Sequence, residues 1–293
     1  MRVGQGSSRF PSPERLVVFG DVHGDLAATV SALRMAGAMD DDHRWVGKDM
    51  VLVQTGDQLD RGDDEPEILD LFAELQRQAV IAGGAFHVLN GNHEIMNVSG
   101  DLRYVTPDGF QDYEDPAGGS DPARLPKHMR GRMKAFSPGG KEAQRLATRP
   151  IVIVVGETVF VHGGVTPQWA RYGIEQTNLD AQDFLLGRRP TLPPVLAAND
   201  GPVWSRDFSD APDAEDCALL EQSLAILGVK RMVVGHTVDT KGIRSACEER
   251  VWMVDVGMAA HYGGAVAVLE IRGDALRVLT GDVGEDLDVS PSH

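Results

Sequence analysis

Several polar residues in this sequence fall just beyond short apolar runs: Asp21, His23, Asp57, Asp60, Arg61, Asn92, His93, His162, Arg206, His236 and Asp255. Carboxylate, imidazole and amide oxygen suit first-row divalent cations, and a set without cysteine disfavours structural zinc. The supply is too rich for one ion. A carboxylate such as Asp57 can bridge two, with Asp21 and His23 completing one shell and Asn92, His162 and His236 the other. Two cations about 3.5–4 Å apart lower the pKa of a bridging water, polarise a phosphoryl oxygen and clamp an in-line displacement. Arg61 can hold an oxyanion. A single histidine is more often a hydrogen-bonded structural residue, and that is the reading for His43, His87 and His128.

The elements that must position these residues follow from the apolar pattern. Leu16–Phe19, Met50–Val53 and Ala85–Leu89 are short, apolar and partly β-branched, which predicts buried strands. Each runs into a polar loop: Gly20–Asp25, Gly56–Gly62 and Asn90–Glu94. Helical spacing follows the first two loops, over Leu26–Ala36 with Gly37 as the stop and over Glu65–Val80 with Ile68, Leu71, Phe72 and Leu75 inward. Strand, ligand-rich loop and helix thus recur, which predicts βαβ units in a layered α/β sheet with ligands at the carboxyl ends of the strands.

Past Asn97 the pattern breaks. Asp112–Pro122 reads as an acidic, Gly/Pro-rich loop, and Leu125, Met129, Met133 and Phe136 predict a helix over an apolar surface. Residues 124–149 concentrate Arg124, Lys127, Arg130, Arg132, Lys134, Lys141, Arg145 and Arg149 against the one acid Glu142. Such a run is either a solvated helix face or a basic rim drawing an anionic substrate inward. Ile151–Val155 and Thr158–Val161 flank Gly156-Glu157 as a hairpin, and the second strand delivers His162. Asp213–Leu227 predicts a helix, Arg231–Val234 and Val251–Val254 predict strands leading to His236 and Asp255, and Ala265–Ile271 with Ala275–Leu279 forms a closing hairpin. No repeat or linker is visible. One domain over 1–293 with a cap inserted at about 97–149 is expected.

The composition is that of a soluble globular protein, with 42% hydrophobic and 25% charged residues. No apolar run is long enough to span a bilayer, and the polar start lacks the apolar core of a signal peptide, so a cytoplasmic location is expected. The net charge of −16 argues against nucleic-acid or anionic-membrane partners, and part of it fits metal ligands. One isolated pair, Cys217 and Cys247, makes no disulfide framework; two free thiols are expected. No obligate partner is evident.

The motifs GDVHG (20–24), GDQLDRG (56–62), GNHE (91–94), HGG (162–164) and GH (235–236) resemble, in order, those of the phosphoprotein phosphatase family of calcineurin-like metallophosphoesterases. GDQLDRGDDE, LNGNHEIMNVSGDLRYV and Trp204-Ser205-Arg206 are similar to the bacterial Shewanella-like branch. The resemblance implies a four-layer α/β/β/α sandwich with an inserted helical cap, and two divalent metal ions, manganese first and iron or zinc as alternatives. It implies that Asp21 and His23 hold one metal, that Asn92, His162 and His236 hold the other, and that Asp57 bridges them. Arg61 would grip phosphate, with Arg206 as second arginine and Asn92 also touching it. His93 would protonate the leaving alkoxide, oriented by Asp60, and Asp255 would stand behind the ligands or serve a turn.

The implied reaction is hydrolysis of phosphomonoesters by direct attack of a hydroxide bridging the metals. Its substrates would be proteins carrying phosphoserine, phosphothreonine or phosphotyrosine. A small-molecule phosphohydrolase, such as one cleaving dinucleoside polyphosphates, would carry the same motifs. A cyclic-nucleotide phosphodiesterase would carry Gly-His-x-His, whereas Thr237-Val238 follows His236 here. A binding protein on an inactive scaffold would have lost some of these groups, and every one is present.

Overall fold

Leu16–Phe19 is buried at every position, with Val17 and Phe19 facing one apolar layer and Leu16 and Val18 another. A strand covered on both faces reads as a continuous apolar run. The computed structural model, which describes residues 7–113 and 125–281, shows what covers them.

In chain order the first elements are β1 (Arg9–Phe10), β2 (Leu16–Phe19), α1 (Leu26–Met35), β3 (Val51–Gln54), α2 (Glu65–Ile81), β4 (Ala85–Val88) and α3 (Asn92–Ser99). Next come α4 (Pro107–Gln111), α5 (Lys127–Phe136), α6 (Lys141–Leu146), β5 (Val152–Val155), β6 (Thr158–Val161), α7 (Pro167–Tyr172) and α8 (Ile174–Leu185). The last are α9 (Pro194–Ala197), α10 (Ala214–Leu227), β7 (Arg231–Val234), β8 (Arg244–Ala246), β9 (Val251–Met253), β10 (Ala267–Arg272) and β11 (Ala275–Thr280).

These strands form two sheets, in the orders β1-β5-β6-β7-β9-β8 and β11-β10-β2-β3-β4. Between them lies one apolar layer, including Val18, Val53, Ile153, Phe160, Val233 and Leu269. Outside the five-stranded sheet α1 and α2 bury Leu33, Ile68, Phe72 and Leu75. Outside the six-stranded sheet α7, α8 and α10 bury Trp169, Phe184, Leu220 and Leu224. This is the α/β/β/α order. Phe72 meets the rings of Phe86 and Phe19 at 5.1 and 6.2 Å, and truncating so central a ring costs about 3–5 kcal/mol.

Register sets the level of the loops. Phe19 pairs with Gln54 and Gln54 with Val88 in parallel ladders, so the loops after β2, β3 and β4 leave the sheet side by side. On the other sheet β6, β7 and β9 are parallel, with Val161 beside Val234 and Val234 beside Met253. Both sets of carboxyl ends meet at one edge of the sandwich.

Two expectations are corrected. The two cysteines are not free thiols: Cys217 on α10 and Cys247 after β8 form a disulfide. Near the start, Arg9 and Phe10 pair in parallel with Val154 and Val155, a strand with no apolar run to announce it. The inward face of α5 is Gly131, Arg132 and Phe136 rather than a methionine stripe. Arg132 is fully buried against Glu65, at 2.5 Å, and Arg149 is buried with Nη1 donating to Gln58 Oε1 at 2.6 Å. Neither a solvated face nor a substrate-guiding rim describes those two residues. Arg124 and most of the Asp112–Pro122 loop lie outside the described residues.

Candidate active site

Five of the predicted residues hold backbone conformations that side chains disfavour: His23, Asp57, Asp60, Arg61 and His236 have φ between 40 and 70°. Positive φ at non-glycine residues is uncommon, and its clustering marks functional loops. The loops are held together from behind. Asp57 carbonyl oxygen accepts from the Val22 and His23 amides, both at 3.1 Å. The Glu94 carboxylate accepts from the amides of Asp57, Gln58, Leu59 and Gly91 at 2.6–3.2 Å. Glycine is required beside them: a Cβ on Gly91 would lie 2.2 Å from Asp57 Oδ1, and one on Gly235 2.4 Å from Asp21 Oδ1.

Three imidazoles have their tautomers set by backbone carbonyls. His23 Nδ1 donates to Leu59 O at 3.0 Å, His162 Nδ1 to Thr55 O at 3.1 Å, and His236 Nε2 to Trp204 O at 3.1 Å. The opposite nitrogens are left with lone pairs. His162 Nε2 lies 3.3 Å from Asp57 Oδ2, 2.8 Å from Asn92 Oδ1 and 3.2 Å from His236 Nδ1, and His23 Nε2 lies 3.8 Å from Asp57 Oδ2. Carbonyl-fixed imidazoles aimed at one carboxylate are the arrangement of a metal shell. Burial lowers His23 to about 4 and, with His162 nearby, lowers His236 further, so both stand neutral and able to ligate.

The carboxylates are equally suited to cations. Asp21, Asp57 and Asp255 are all buried. Burial, then the charges of Asp255 and Asp57, push Asp21 well above the carboxylate range. Burial likewise raises Asp255 to about 6. Asp255 Oδ1 accepts from the Gly257 amide at 3.0 Å, while buried Oδ2 has no partner among the described residues. Burial opposes the charge on Asp57, yet His162 and His93 hold it well below its usual value. Crowded buried carboxylates, an orphaned oxygen and neutral imidazoles fit divalent cations. Two donor groups share Asp57, one with His162 and His236 and one with His23 and His93. Asp21 enters from the side, with Oδ1 3.9 Å from His162 Nδ1.

His93 differs from the other imidazoles. Its Nδ1 faces Asp60 Oδ2 at 2.6 Å, not a carbonyl, and its Nε2 lies 3.8 Å from Asp57 Oδ2. Burial would lower its pKa, but Asp57 and then Asp60 outweigh this and hold it above the ordinary value. It is thus pushed toward the protonated form while His23 and His236 are pushed toward the neutral one, which suits an acid better than a ligand.

The arginines border one cleft of about 880 Å³, which also touches His23, Asp57, Asn92 and His93. Arg61 is stacked between the rings of Tyr104 and Tyr262, at 4.8 and 5.1 Å from their centroids, a favourable setting for a guanidinium. Arg206 Nη1 donates to His236 O at 3.0 Å and Thr237 Oγ1 at 2.8 Å. All the predicted residues thus converge, Asp255 included. Sequence reasoning missed Glu94, Gln58, Tyr104, Tyr262, Asn97 and Arg132. Gln58, Glu94, Asn97 and Tyr104 lie inside the motifs quoted above, whereas Arg132 and Tyr262 had no local signal.

The calcineurin-like phosphoesterase profile matches residues 14–239, and the chain belongs to that family. It is 37% identical over 312 aligned residues to Shewanella-like protein phosphatase 2 of Arabidopsis thaliana, covering 94% of this chain and 80% of the relative. Among solved structures it resembles the cold-active protein-tyrosine phosphatase of a psychrophilic Shewanella, with TM-score 0.78 and 26% identity over 93% of this chain and 80% of that one. A protein serine/threonine phosphatase of Saccharomyces cerevisiae shares the fold, with TM-score 0.61 and 16% identity over 97% of this chain and 87% of that one. With the donor set described above, this chain is a metal-dependent phosphatase, a phosphoric monoester hydrolase.

Proposed function

We propose that this chain dephosphorylates proteins or peptides, phosphoserine and phosphothreonine foremost and phosphotyrosine as well, by in-line displacement without a phosphoenzyme. The observation that carries the reading is the placement of His93, paired with Asp60, beside His23, Asp57, Asn92, His236 and Arg61 on one cleft. The names of the Arabidopsis and Shewanella relatives above, both protein phosphatases, support a protein substrate.

In this reading Asp21 and His23 would hold one divalent ion, Asn92, His162 and His236 would hold a second, and Asp57 would hold both. Manganese is the expected metal, with iron or zinc as alternatives. Bound there, such ions supply Lewis-acid polarisation of the phosphoryl oxygens and a nucleophilic water at neutral pH. Arg61 grips the phosphate with its planar fork, Arg206 closes from the opposite wall, and the Asn92 amide adds a donor. His93 Nε2 hands its proton to the leaving oxygen while Asp60 steadies the imidazolium, and Asp255 backs Asp21. Residues 97–149 act as a cap on a single domain spanning 1–293, with α5 supporting Asp60 from behind.

No helix among the described residues is long and apolar enough to cross a membrane. The cytoplasmic expectation has the Cys217–Cys247 disulfide against it, because disulfides persist chiefly in oxidising compartments. The net charge of −16 remains an argument against nucleic-acid and anionic-membrane partners.

The test is a substrate panel of phosphoserine, phosphothreonine and phosphotyrosine peptides beside diadenosine tetraphosphate, each with manganese, iron and zinc. Metal-dependent release of phosphate from the peptides is expected. Turnover of the dinucleotide alone would replace this reading with the small-molecule hydrolase.

A further inference from the structure

A second cavity, of about 290 Å³, lies where edge strand β4 of one sheet approaches edge strand β1 of the other. Phe10, Val88 and Leu179 supply apolar wall, and His87, Arg149 and Gln182 supply polar wall. It shares no lining residue with the phosphate cleft.

One polar atom in this wall lacks a hydrogen-bond partner, and one charge lacks a direct ion pair. The His87 ring packs on Phe10 at 4.2 Å, and its buried Nε2 has no hydrogen-bond partner among the described residues. That departs from the hydrogen-bonded structural role expected of it. An unsatisfied buried polar atom costs about 1–3 kcal/mol and calls for an explanation. Burial lowers His87 to about 4, so the ring is neutral and does not repel a second cation. Arg149 is buried, and no carboxylate among the described residues lies within ion-pair distance of it. Its one side-chain hydrogen bond goes to Gln58. The charges of Glu94 and Glu142 act on it from farther off, and burying a guanidinium without a direct ion pair is costly. The one acid in the wall, Glu175, sits exposed at the rim, 3.9 Å from Arg9.

We propose that this cavity binds a small organic carboxylate with an aromatic or compact apolar body. Arg149 supplies the positive charge, His87 Nε2 a hydrogen bond, and Phe10, Val88 and Leu179 the apolar contact. The volume suits a ring of six atoms with its carboxylate, well below a nucleotide or peptide. The site has a short route to the phosphate cleft, because Gln58 follows Asp57 directly and donates from Nε2 to Gln54 and Leu89.

The probe is sodium benzoate, with benzamide as its uncharged isostere, titrated calorimetrically into the full chain at constant ionic strength. Saturating inorganic phosphate is present throughout, to keep benzoate off Arg61 and Arg206. Benzoate should bind, benzamide should bind about tenfold more weakly or worse, and Leu179→Trp, which fills the cavity, should abolish binding. His87→Phe keeps the ring and removes Nε2, and should weaken benzoate about tenfold. Hydrolysis of 4-nitrophenyl phosphate by Leu179→Trp reports that this variant is folded. No binding of benzoate, equal binding of benzamide, or undiminished binding by folded Leu179→Trp would each overturn the proposal.

Discussion

Asp60 Oδ2 lies 2.6 Å from His93 Nδ1, and its other oxygen accepts from Asn97 Nδ2 at 3.0 Å with Arg132 Nη2 at 3.5 Å. The carboxylate is wholly buried, so its charge acts on His93 with little screening. It fixes the imidazole with Nδ1 protonated and Nε2 facing the cleft.

Asp60→Asn tests that relationship. The acid form of His93 is the active one, so activity should fall as pH rises through its pKa. Asp57 and Asp60 raise that pKa against the effect of burial. Removing the Asp60 charge must therefore move the alkaline limb of the kcat profile to lower pH, and kcat should drop about 100-fold or more. The measurement is kcat against pH on a phosphopeptide at saturating metal. A limb that stays in place would mean that another group sets it.

Arg132 tests how α5 supports the site. Its Nη1 and Nη2 donate to the two oxygens of Glu65 at 2.5 and 2.9 Å, with both side chains fully buried. Arg132→Met strands Glu65, and loss of one partner of a buried pair costs about 3–5 kcal/mol. Arg132→Met with Glu65→Gln removes the stranded charge while keeping an acceptor for the Asp60 amide, and should regain a large part of the loss. Urea unfolding of the three proteins gives the comparison. Equal stability of wild type and Arg132→Met would refute the bridge as a stabilising contact.

The ligand loops were legible in the sequence because their signal is local: an apolar run, a glycine, then Asp, His or Asn. The layered fold followed from the same runs, since strands buried on both faces do not alternate. What holds the ligands was not legible. Leu59, Thr55 and Trp204 act through backbone carbonyls, which leave no mark in residue type. The inward turn of Arg132 could not be told from a solvated arginine, because its partner Glu65 is 67 residues away. Strand β1 is two residues long and carries no period. The Cys217–Cys247 pair spans 30 residues without any motif to announce it.

That disulfide gives a third prediction. It ties α10 to the β8–β9 turn, outside the cleft. Closing a loop of 30 residues restricts the unfolded chain by about 3–4 kcal/mol on the loop-entropy account. Cys217→Ser should lose stability of that order in urea, and dithiothreitol should lower wild-type stability toward the variant's without affecting the variant. A wild type indifferent to reductant would show that the bridge does not form in solution.

The leaving group tests the central claim most directly. If His93 donates the proton that frees the alcohol, its loss must matter most where the leaving oxygen is most basic. Wild type and His93→Ala are compared at saturating manganese on a phosphoserine peptide and on 4-nitrophenyl phosphate. The predicted result is a loss of about 10²–10⁴ in kcat on phosphoserine and a much smaller one on the nitrophenyl ester, whose phenolate leaves unaided. Equal losses on both substrates, or near-normal turnover of phosphoserine, would contradict it.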